Sequence, residues 1–175
     1  MKKDSKNKVI PFFRGQSAAN TMKIADTFEF RRGGKLKDVS IAYETWGELD
    51  SSKSNVVVIF TGLSASSHVT SSSFNSAAGW WESMVGPGKS IDSDKHFIVC
   101  INTLGSCFGS TSPVSMNANT EQPYRLSFPE LTVEDMAKAS YTLLEKLGIS
   151  DIKILVGPSL GGMQALAFSI MFNQS

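Results

Sequence analysis

The stretch Ile154-Leu155-Val156-Gly157-Pro158-Ser159-Leu160-Gly161-Gly162-Met163 does most to determine the predicted fold. It begins with an apolar run that is typical of a buried strand, and apolar residues then recur at helical spacing through Met163, Leu166, Ala167 and Ile170. Between the two lies the spacing G-x-S-x-G, in which glycines permit a sharp turn without collisions between side chains and backbone. The stretch therefore predicts a strand, a tight turn carrying Ser159, and a helix.

Two earlier apolar runs, at residues 55–60 and 97–101, have no polar face, which is typical of strands covered on both sides in a parallel sheet. Before them, segments 27–30 and 39–45 alternate in hydrophobicity on either side of Gly33-Gly34. This pattern predicts an antiparallel pair joined by a glycine turn at one edge of the sheet.

A helix is predicted to begin at Thr132, because Asp135 three residues later can complete a capping box, and to end at Gly148. A helix followed by a buried strand is a crossover unit, so the fold class is α/β with a mostly parallel sheet. We divide the chain into a loosely ordered leader, residues 1–24, and a partial α/β domain, residues 25–175.

The composition argues against several classes of partner. The 175 residues contain 17 Lys and Arg against 16 Asp and Glu, a net charge of +1 that offers little attraction to nucleic acid. No run approaches the roughly 18 apolar residues of a membrane span, and we expect a cytoplasmic protein. The two cysteines, Cys100 and Cys107, are too few for a disulfide framework, and no spacing predicts a metal site.

The candidate nucleophile is Ser159, and its alternative interpretation is a helix N-cap. An attacked acyl carbonyl needs hydrogen-bond donors for its developing negative charge. In this type of turn the donors are the amide after the nucleophile, here Leu160, and an amide after an earlier strand, here Leu63. Leu63 could instead be a loop residue that packs on the sheet.

A serine nucleophile also needs a general base, normally a histidine oriented by a carboxylate. The chain has only His68 and His96, and both precede Ser159, whereas the usual order for this turn is Ser, then Asp or Glu, then His. We therefore expect the acid and the base to lie beyond Ser175.

Further motifs occur in one order along the chain. They are AYETWG at 42–47, GWWE at 79–82, VGPGK at 85–89, NTLGSCFGST at 102–111, PY at 123–124, FP at 128–129 and GGMQAL at 161–166. Together they resemble the N-terminal half of the homoserine O-acetyltransferase family, from about residue 28 to residue 175.

The resemblance implies the N-terminal portion of an α/β-hydrolase fold, without the later strands and the helical lid. It also implies an acyl-CoA-dependent transfer through an acyl-serine to the hydroxyl of homoserine, in methionine or cysteine biosynthesis. Acetyl-CoA or succinyl-CoA would be a co-substrate, with no permanently bound cofactor, and a full-length form could be a homodimer. The chain without its base is expected to be inactive.

Two departures resemble the branch of this family that acylates serine, sometimes with a succinyl group. They are Leu63-Ser64-Ala65-Ser66-Ser67-His68 and Tyr124-Arg125-Leu126. We therefore nominate Ser64, Ala65, Ser66 and Ser67 as a specificity segment and Arg125 as a substrate contact. A polar surface loop and a solvated arginine are the alternatives, as are a hydrolase or a noncatalytic remnant for the whole chain.

Overall fold

The computed structural model describes residues 20–172. These residues form a five-stranded sheet, a two-stranded ribbon, two α-helices and a short 3₁₀ turn. In chain order the elements are β1 Asn20–Glu29, β2 Lys35–Trp46, β3 Val56–Phe60, β4 Phe97–Ile101, β5 Met116–Asn117, β6 Gln122–Pro123, the 3₁₀ turn Arg125–Ser127, α1 Val133–Lys146, β7 Ile154–Val156 and α2 Leu160–Phe172.

The main sheet has the strand order β1-β2-β4-β3-β7. Strand β3 pairs in parallel with β4 on one side and with β7 on the other, with Val58 opposite Val99 and Leu155. Strand β2 is antiparallel to both β1 and β4. The predicted α/β fold, with parallel buried strands and an antiparallel pair at one edge, is confirmed.

Strand β1 begins at Asn20, five residues before the predicted start of the domain. Strand β2 continues to Trp46 and is therefore long enough to pair with the additional residues of β1, so that Asn20 lies opposite Tyr43. A register shift between Lys23 and Ala25 breaks the alternation that would have revealed the strand in the sequence. Residues 1–19 of the predicted leader lie outside the described residues.

Strand β7 is less buried than predicted. All five residues of β3 are buried, whereas Ile154 of β7 is 41% exposed. Within residues 20–172, β7 forms the edge of the sheet and pairs only with β3, so one side of it remains open.

The buried face of α2 also differs from the prediction. Met163, Leu166 and Ile170, which the sequence pattern suggested as an apolar face, are 58–75% exposed. The residues that turn inward are instead Gly161, Gln164 and Phe168. A small residue and an amide occupy this face because α2 lies close to both β3 and α1.

The two faces of the sheet are covered differently. One face carries the main apolar core, in which side chains of α1 and α2, such as Leu143 and Phe168, pack with those of β3 and β4. On the other face, Ile59 and Cys100 pack in a second cluster with Trp80, which belongs to the long connection between β3 and β4. The loop that follows β3 is thus part of the fold.

Helix α1 begins as predicted. The Thr132 Oγ1 accepts a hydrogen bond from the Asp135 amide, and the Asp135 carboxylate accepts one from the Thr132 amide, which completes the capping box. The same carboxylate accepts a bond from the Arg31 amide at 2.9 Å, which ties the helix to the turn between β1 and β2. Gly148 follows the helix with φ +70°, a conformation suited to glycine.

Candidate active site

The backbone at Ser159 has the geometry of a nucleophile elbow. Its φ is +53°, in the left-handed region that non-glycine residues rarely adopt, and the residue is exposed immediately before α2. A helix N-cap residue normally has an extended backbone. The conformation of Ser159 therefore differs from that of an ordinary N-cap, and the residue lies at the carboxyl end of β7.

The glycines on either side of Ser159 are required by close contacts. A Cβ atom at Gly157 would lie 2.3 Å from the carbonyl carbon of Gly161, and one at Gly161 would lie 2.2 Å from the carbonyl oxygen of Phe60. Both distances are far too short for nonbonded atoms. The turn therefore folds back on itself and packs directly on the end of β3, which no side chain at either position would allow.

The chain after β3 passes beside the elbow. A Cβ atom on Gly62 would lie 4.0 Å from the Cβ of Ser159, so Gly62 lies close to the serine and Leu63 is the next residue along the chain. Leu63 is 72% exposed, which excludes the alternative that it packs on the sheet. Within residues 20–172, neither the Leu63 amide nor the Leu160 amide donates a hydrogen bond to the protein. Two unused donors thus lie in the segments that flank the serine.

A buried polar network holds this arrangement together. Gln164, fully buried one turn into α2, accepts a hydrogen bond from Thr103 Oγ1 at 3.2 Å and donates to Ser140 Oγ at 2.7 Å. Thr103 Oγ1 lies 3.1 Å from Thr61 Oγ1, at the end of β3. The network connects both helices to the strand ends beside Ser159. We did not predict it from the sequence, where a glutamine among apolar helix residues was the available signal.

The proposed specificity segment is firmly held. The Ala65 carbonyl accepts a hydrogen bond from Asn102 Nδ2 at 3.2 Å, and the Ser66 carbonyl accepts one from Trp80 Nε1 at 2.8 Å. Ser67 is fully buried, whereas Ser64 is exposed. Of the four residues, Ser64 is therefore the one most accessible to a small molecule.

Arg125 lies on a different loop, in the 3₁₀ turn after the β5–β6 ribbon. Its φ is +49°, its amide donates to the Pro113 carbonyl at 2.7 Å, and the residue is exposed. The segments that carry Leu63 and Leu160 thus flank Ser159, whereas Arg125 is presented to solvent.

Neither histidine is arranged to act as the base for Ser159. In His68, Nδ1 lies 2.9 Å from Glu44 Oε2 and Nε2 lies 2.8 Å from the Ala77 carbonyl oxygen, so both ring nitrogens are engaged. His96 precedes β4, whereas Ser159 follows β7, and in a parallel arrangement these positions lie at opposite ends of the strands.

Within residues 20–172, neither the buried cysteine nor a group of metal-ligating side chains offers a second site. Burial raises the pKa of the Cys100 thiol, and the nearby Glu44 charge raises it further, so this cysteine stays protonated. Among residues 20–172, no three His, Cys, Asp or Glu side chains are placed to hold a metal ion. In the same part of the chain, neither helix is both long and apolar enough to cross a membrane.

Comparison with known proteins agrees with this geometry. The profile of the alpha/beta hydrolase fold family matches residues 55–175, which include β3, the segment after it and the Ser159 elbow. The chain belongs to the alpha/beta hydrolase fold family. The fold class implied by the resemblance is thereby confirmed.

Within this alpha/beta hydrolase family, the resemblance to homoserine O-acyltransferases is also confirmed. A serine O-succinyltransferase of Stenotrophomonas maltophilia (strain K279a) is 55% identical over 140 residues, which cover 80% of this chain and 38% of the relative. The chain thus spans about two fifths of the length of this curated relative.

Solved alpha/beta hydrolase structures show the same fold. Homoserine O-acetyltransferase from Bacillus anthracis superposes with a TM-score of 0.79 at 30% identity and covers 87% of this chain and 43% of its own. Esterase E22 superposes with a TM-score of 0.75 at 35% identity and covers 83% of this chain and 41% of its own. The fold is therefore shared by acyltransferases and an esterase.

Proposed function

We propose that this chain is the N-terminal part of an acyl-CoA-dependent O-acyltransferase that acylates the hydroxyl of an amino acid through an acyl-Ser159 intermediate. The observation that supports this most is the left-handed backbone of Ser159 beside two amides that donate to no protein group. A nucleophile with adjacent oxyanion donors is the arrangement that acyl transfer needs.

In the first half-reaction, Ser159 Oγ attacks the thioester carbonyl of acyl-CoA, and the amides of Leu63 and Leu160 stabilise the oxyanion. The carbon–sulfur bond then breaks, and the CoA thiol leaves with the proton taken from the serine. In the second half-reaction, the acceptor hydroxyl attacks the acyl-serine and regenerates Ser159. Since His68 and His96 are not arranged for it, the proposal assigns proton transfer to a histidine beyond Ser175.

The homoserine acceptor and acetyl group implied by the motifs remain one form of the proposal. The 55% identity to a serine O-succinyltransferase favours the other form, with serine as acceptor and succinyl as the acyl group. In that form, the exposed Arg125 binds the free carboxylate of the succinyl group, and Ser64 in the specificity segment contacts the acceptor. The reaction then belongs to cysteine rather than methionine biosynthesis in the cytoplasm, and the longer protein is a homodimer.

A second candidate is an esterase, since esterase E22 is 35% identical and shares the fold. The same Ser159 would be acylated, but water would replace the amino acid in the second half-reaction. The two candidates therefore differ only in the acceptor.

The test uses this chain and a version extended to the length of its relatives, each with and without Ser159→Ala. Each is given succinyl-CoA or acetyl-CoA with serine, homoserine or no acceptor, and O-acyl product and free CoA are measured. We expect O-succinylserine from the extended version alone and none from its Ser159→Ala form. Equal CoA release without acceptor would favour the esterase. Turnover by residues 1–175 that Ser159→Ala abolishes would contradict the missing-base argument.

A further inference from the structure

A carboxylate is buried on the face of the sheet that the β3–β4 connection covers. Glu44, on β2, is 3% exposed and pairs in register with Cys100 of the apolar cluster on that face. Burying a carboxylate among apolar side chains is costly unless a partner compensates its charge. We therefore expect a positively charged group beside Glu44 that compensates its charge.

His68 supplies that compensation. Its Nδ1 lies 2.9 Å from Glu44 Oε2, whereas Glu44 Oε1 has no hydrogen-bond partner within residues 20–172. The other ring nitrogen, Nε2, faces the Ala77 carbonyl, which can only accept a hydrogen bond. Glu44 and Ala77 thus each offer an acceptor to one ring nitrogen, and these two short contacts fit the doubly protonated, positively charged ring. The Asn75 side-chain amide lies farther from Nδ1, at 3.4 Å.

His68 belongs to the segment that follows β3 and carries the Leu63 amide. The segment's other ties are neutral: the Asn102 amide at Ala65, the Trp80 indole at Ser66 and the Trp80 backbone amide at the His68 carbonyl, 3.4 Å away. The ion pair with Glu44 is thus the charged anchor of the segment and fixes it to β2, which β4 separates from β3 in the sheet.

We propose that Glu44 and His68 are positioning residues, and that their ion pair anchors residues 63–68 so that the Leu63 amide stays beside Ser159. This inference rests on the proposed function for its role in acyl transfer. It gives a use to a buried charge pair that the reaction does not otherwise employ, and it explains why His68 is unsuited to be the base.

The anchor should depend on pH. Burial lowers the pKa of His68, but the hydrogen bonds to Glu44 and Ala77 and the charges of Glu44 and Glu82 outweigh it, so the pKa is raised above its usual 6.5. The remaining neighbours, Asn75 and the protonated Cys100 thiol, add no charge. Because the folded-state pKa is raised, the anchor is complete below about pH 6.5 and is lost as the pH rises through the raised value.

Hydrogen–deuterium exchange of the 175-residue chain tests the anchor directly. The amides of Ala65, His68 and Trp80 donate hydrogen bonds within or to this segment, and their exchange is measured by mass spectrometry from pH 5 to pH 9 and corrected for the intrinsic pH dependence. In the unmodified protein, protection of this segment should fall as the pH rises through the His68 pKa. Protection that does not vary with pH would overturn the proposal without any variant being needed.

The variant Glu44→Gln should raise exchange of the Ala65, His68 and Trp80 amides about tenfold or more at pH 6 while leaving α1 protected. It should also remove the pH dependence or move it to lower pH. Glu48→Gln, the same change at an exposed position just beyond β2, is the matched control and should stay within about twofold of the unmodified chain. Unchanged protection of the segment in a folded Glu44→Gln would refute the anchor.

A reactivity assay links the anchor to Ser159. In the version extended to the length of its relatives, acylation of the serine by p-nitrophenyl acetate is followed by intact mass. Glu44→Gln should slow it about tenfold, since an oxyanion donor is worth roughly 100-fold or more in rate. Acylation that Glu44→Gln leaves unchanged would contradict the role in transfer. Acylation that persists in Ser159→Ala would count against the proposed function, while the exchange data would still decide the anchor.

Discussion

At the scale of single residues, the site depends on the backbone of Ser159. A non-glycine residue at φ +53° carries a strain of about 1–2 kcal/mol, which the surrounding contacts must overcome. The close packing of Gly157 on Gly161, and of Gly161 on the Phe60 carbonyl, leaves the chain little alternative. The strain is therefore held in place by backbone contacts.

This strain can be measured by comparing Ser159→Gly with Ser159→Ala. Both changes remove the hydroxyl, but only glycine adopts a positive φ without cost, so the glycine variant should be more stable by about 1 kcal/mol. Thermal or urea unfolding of the two variants gives the difference.

Ser169 is the matched control, since it lies within α2 and its hydroxyl bonds to the Ala165 carbonyl. There the order should reverse, with alanine more stable than glycine by about 0.5–1 kcal/mol. The same order at both positions would contradict a strained backbone at Ser159.

A second prediction for a single residue concerns Glu82, whose carboxylate accepts hydrogen bonds from other residues of the connection between β3 and β4. Hydrogen bonds from the Gly79 amide, the Ser71 amide and the Ser71 hydroxyl lower the pKa of this carboxylate to about 2. Since the folded-state pKa is lowered, the stability from these bonds is complete above the ordinary value of 4.5 and is lost as the pH falls towards 2.

We therefore expect Glu82→Gln to be less stable than the unmodified chain at pH 7 and to lose less stability between pH 5 and pH 2. Urea midpoints measured across this range test the expectation. Glu145→Gln, at an exposed position of α1, should follow the unmodified chain at every pH. Parallel curves for Glu82→Gln and the unmodified chain would show that these bonds do not contribute.

At the scale of elements, the elbow depends on how closely α2 approaches β3. Gly161 is buried on the Phe60 carbonyl, and Gln164 one turn later is hydrogen-bonded to Thr103 and Ser140. The first turn of α2 is thus held by steric contact on one side and by polar bonds on the other. Together these contacts set where Ser159 lies relative to the end of β3.

Gly161→Ala should disrupt this packing. Its Cβ would meet backbone at 2.2 Å, so helix and strand must separate, and we expect a loss of about 3 kcal/mol or more, in the range of severe overpacking. Gly162→Ala is the milder comparison: its Cβ would lie 3.0 Å from the Gly157 oxygen, a tight contact that a shift of a few tenths of an ångström relieves, and alanine is the better helix former. Unfolding curves of the two variants should therefore differ strongly, and equal stability would refute the contact.

Patterns within one element were visible in the sequence, and contacts between elements were not. The capping box at Thr132 was predicted because its partner lies three residues away. The pairing of Glu44 with His68 was not predicted, because it joins β2 to a loop across the sheet. The prediction of which face of α2 is buried was wrong for a similar reason. Because the helix packs closely on its neighbours, Gly161 and Gln164 face inward instead of the larger apolar side chains.

At the scale of the whole molecule, one side of the sheet leaves apolar surface uncovered. Beside β7, helix α2 turns large apolar side chains to solvent. They are Met163, Leu166, Ile170 and Met171, with Ile154 on β7 itself. Contiguous exposed apolar surface of this kind favours association.

We therefore expect the 175-residue chain to associate as its concentration rises, and the double variant Leu166→Lys, Ile170→Lys to shift it towards the monomer. Sedimentation over a range of concentrations measures the change. Phe74→Lys is the control, since Phe74 is 95% exposed but lies on the β3–β4 connection. An equal shift in the control would show that added charge alone is responsible.

The strand order also affects how the nascent chain folds during translation. Strand β3 pairs with β4 on one side and with β7 on the other, and β7 follows it only after the long connections and α1. Because translation proceeds from the N-terminus, one edge of β3 stays unpaired until β7 has been synthesised. An unpaired strand edge favours aggregation. The turn that bears Ser159 is thus among the last parts of the described chain to form.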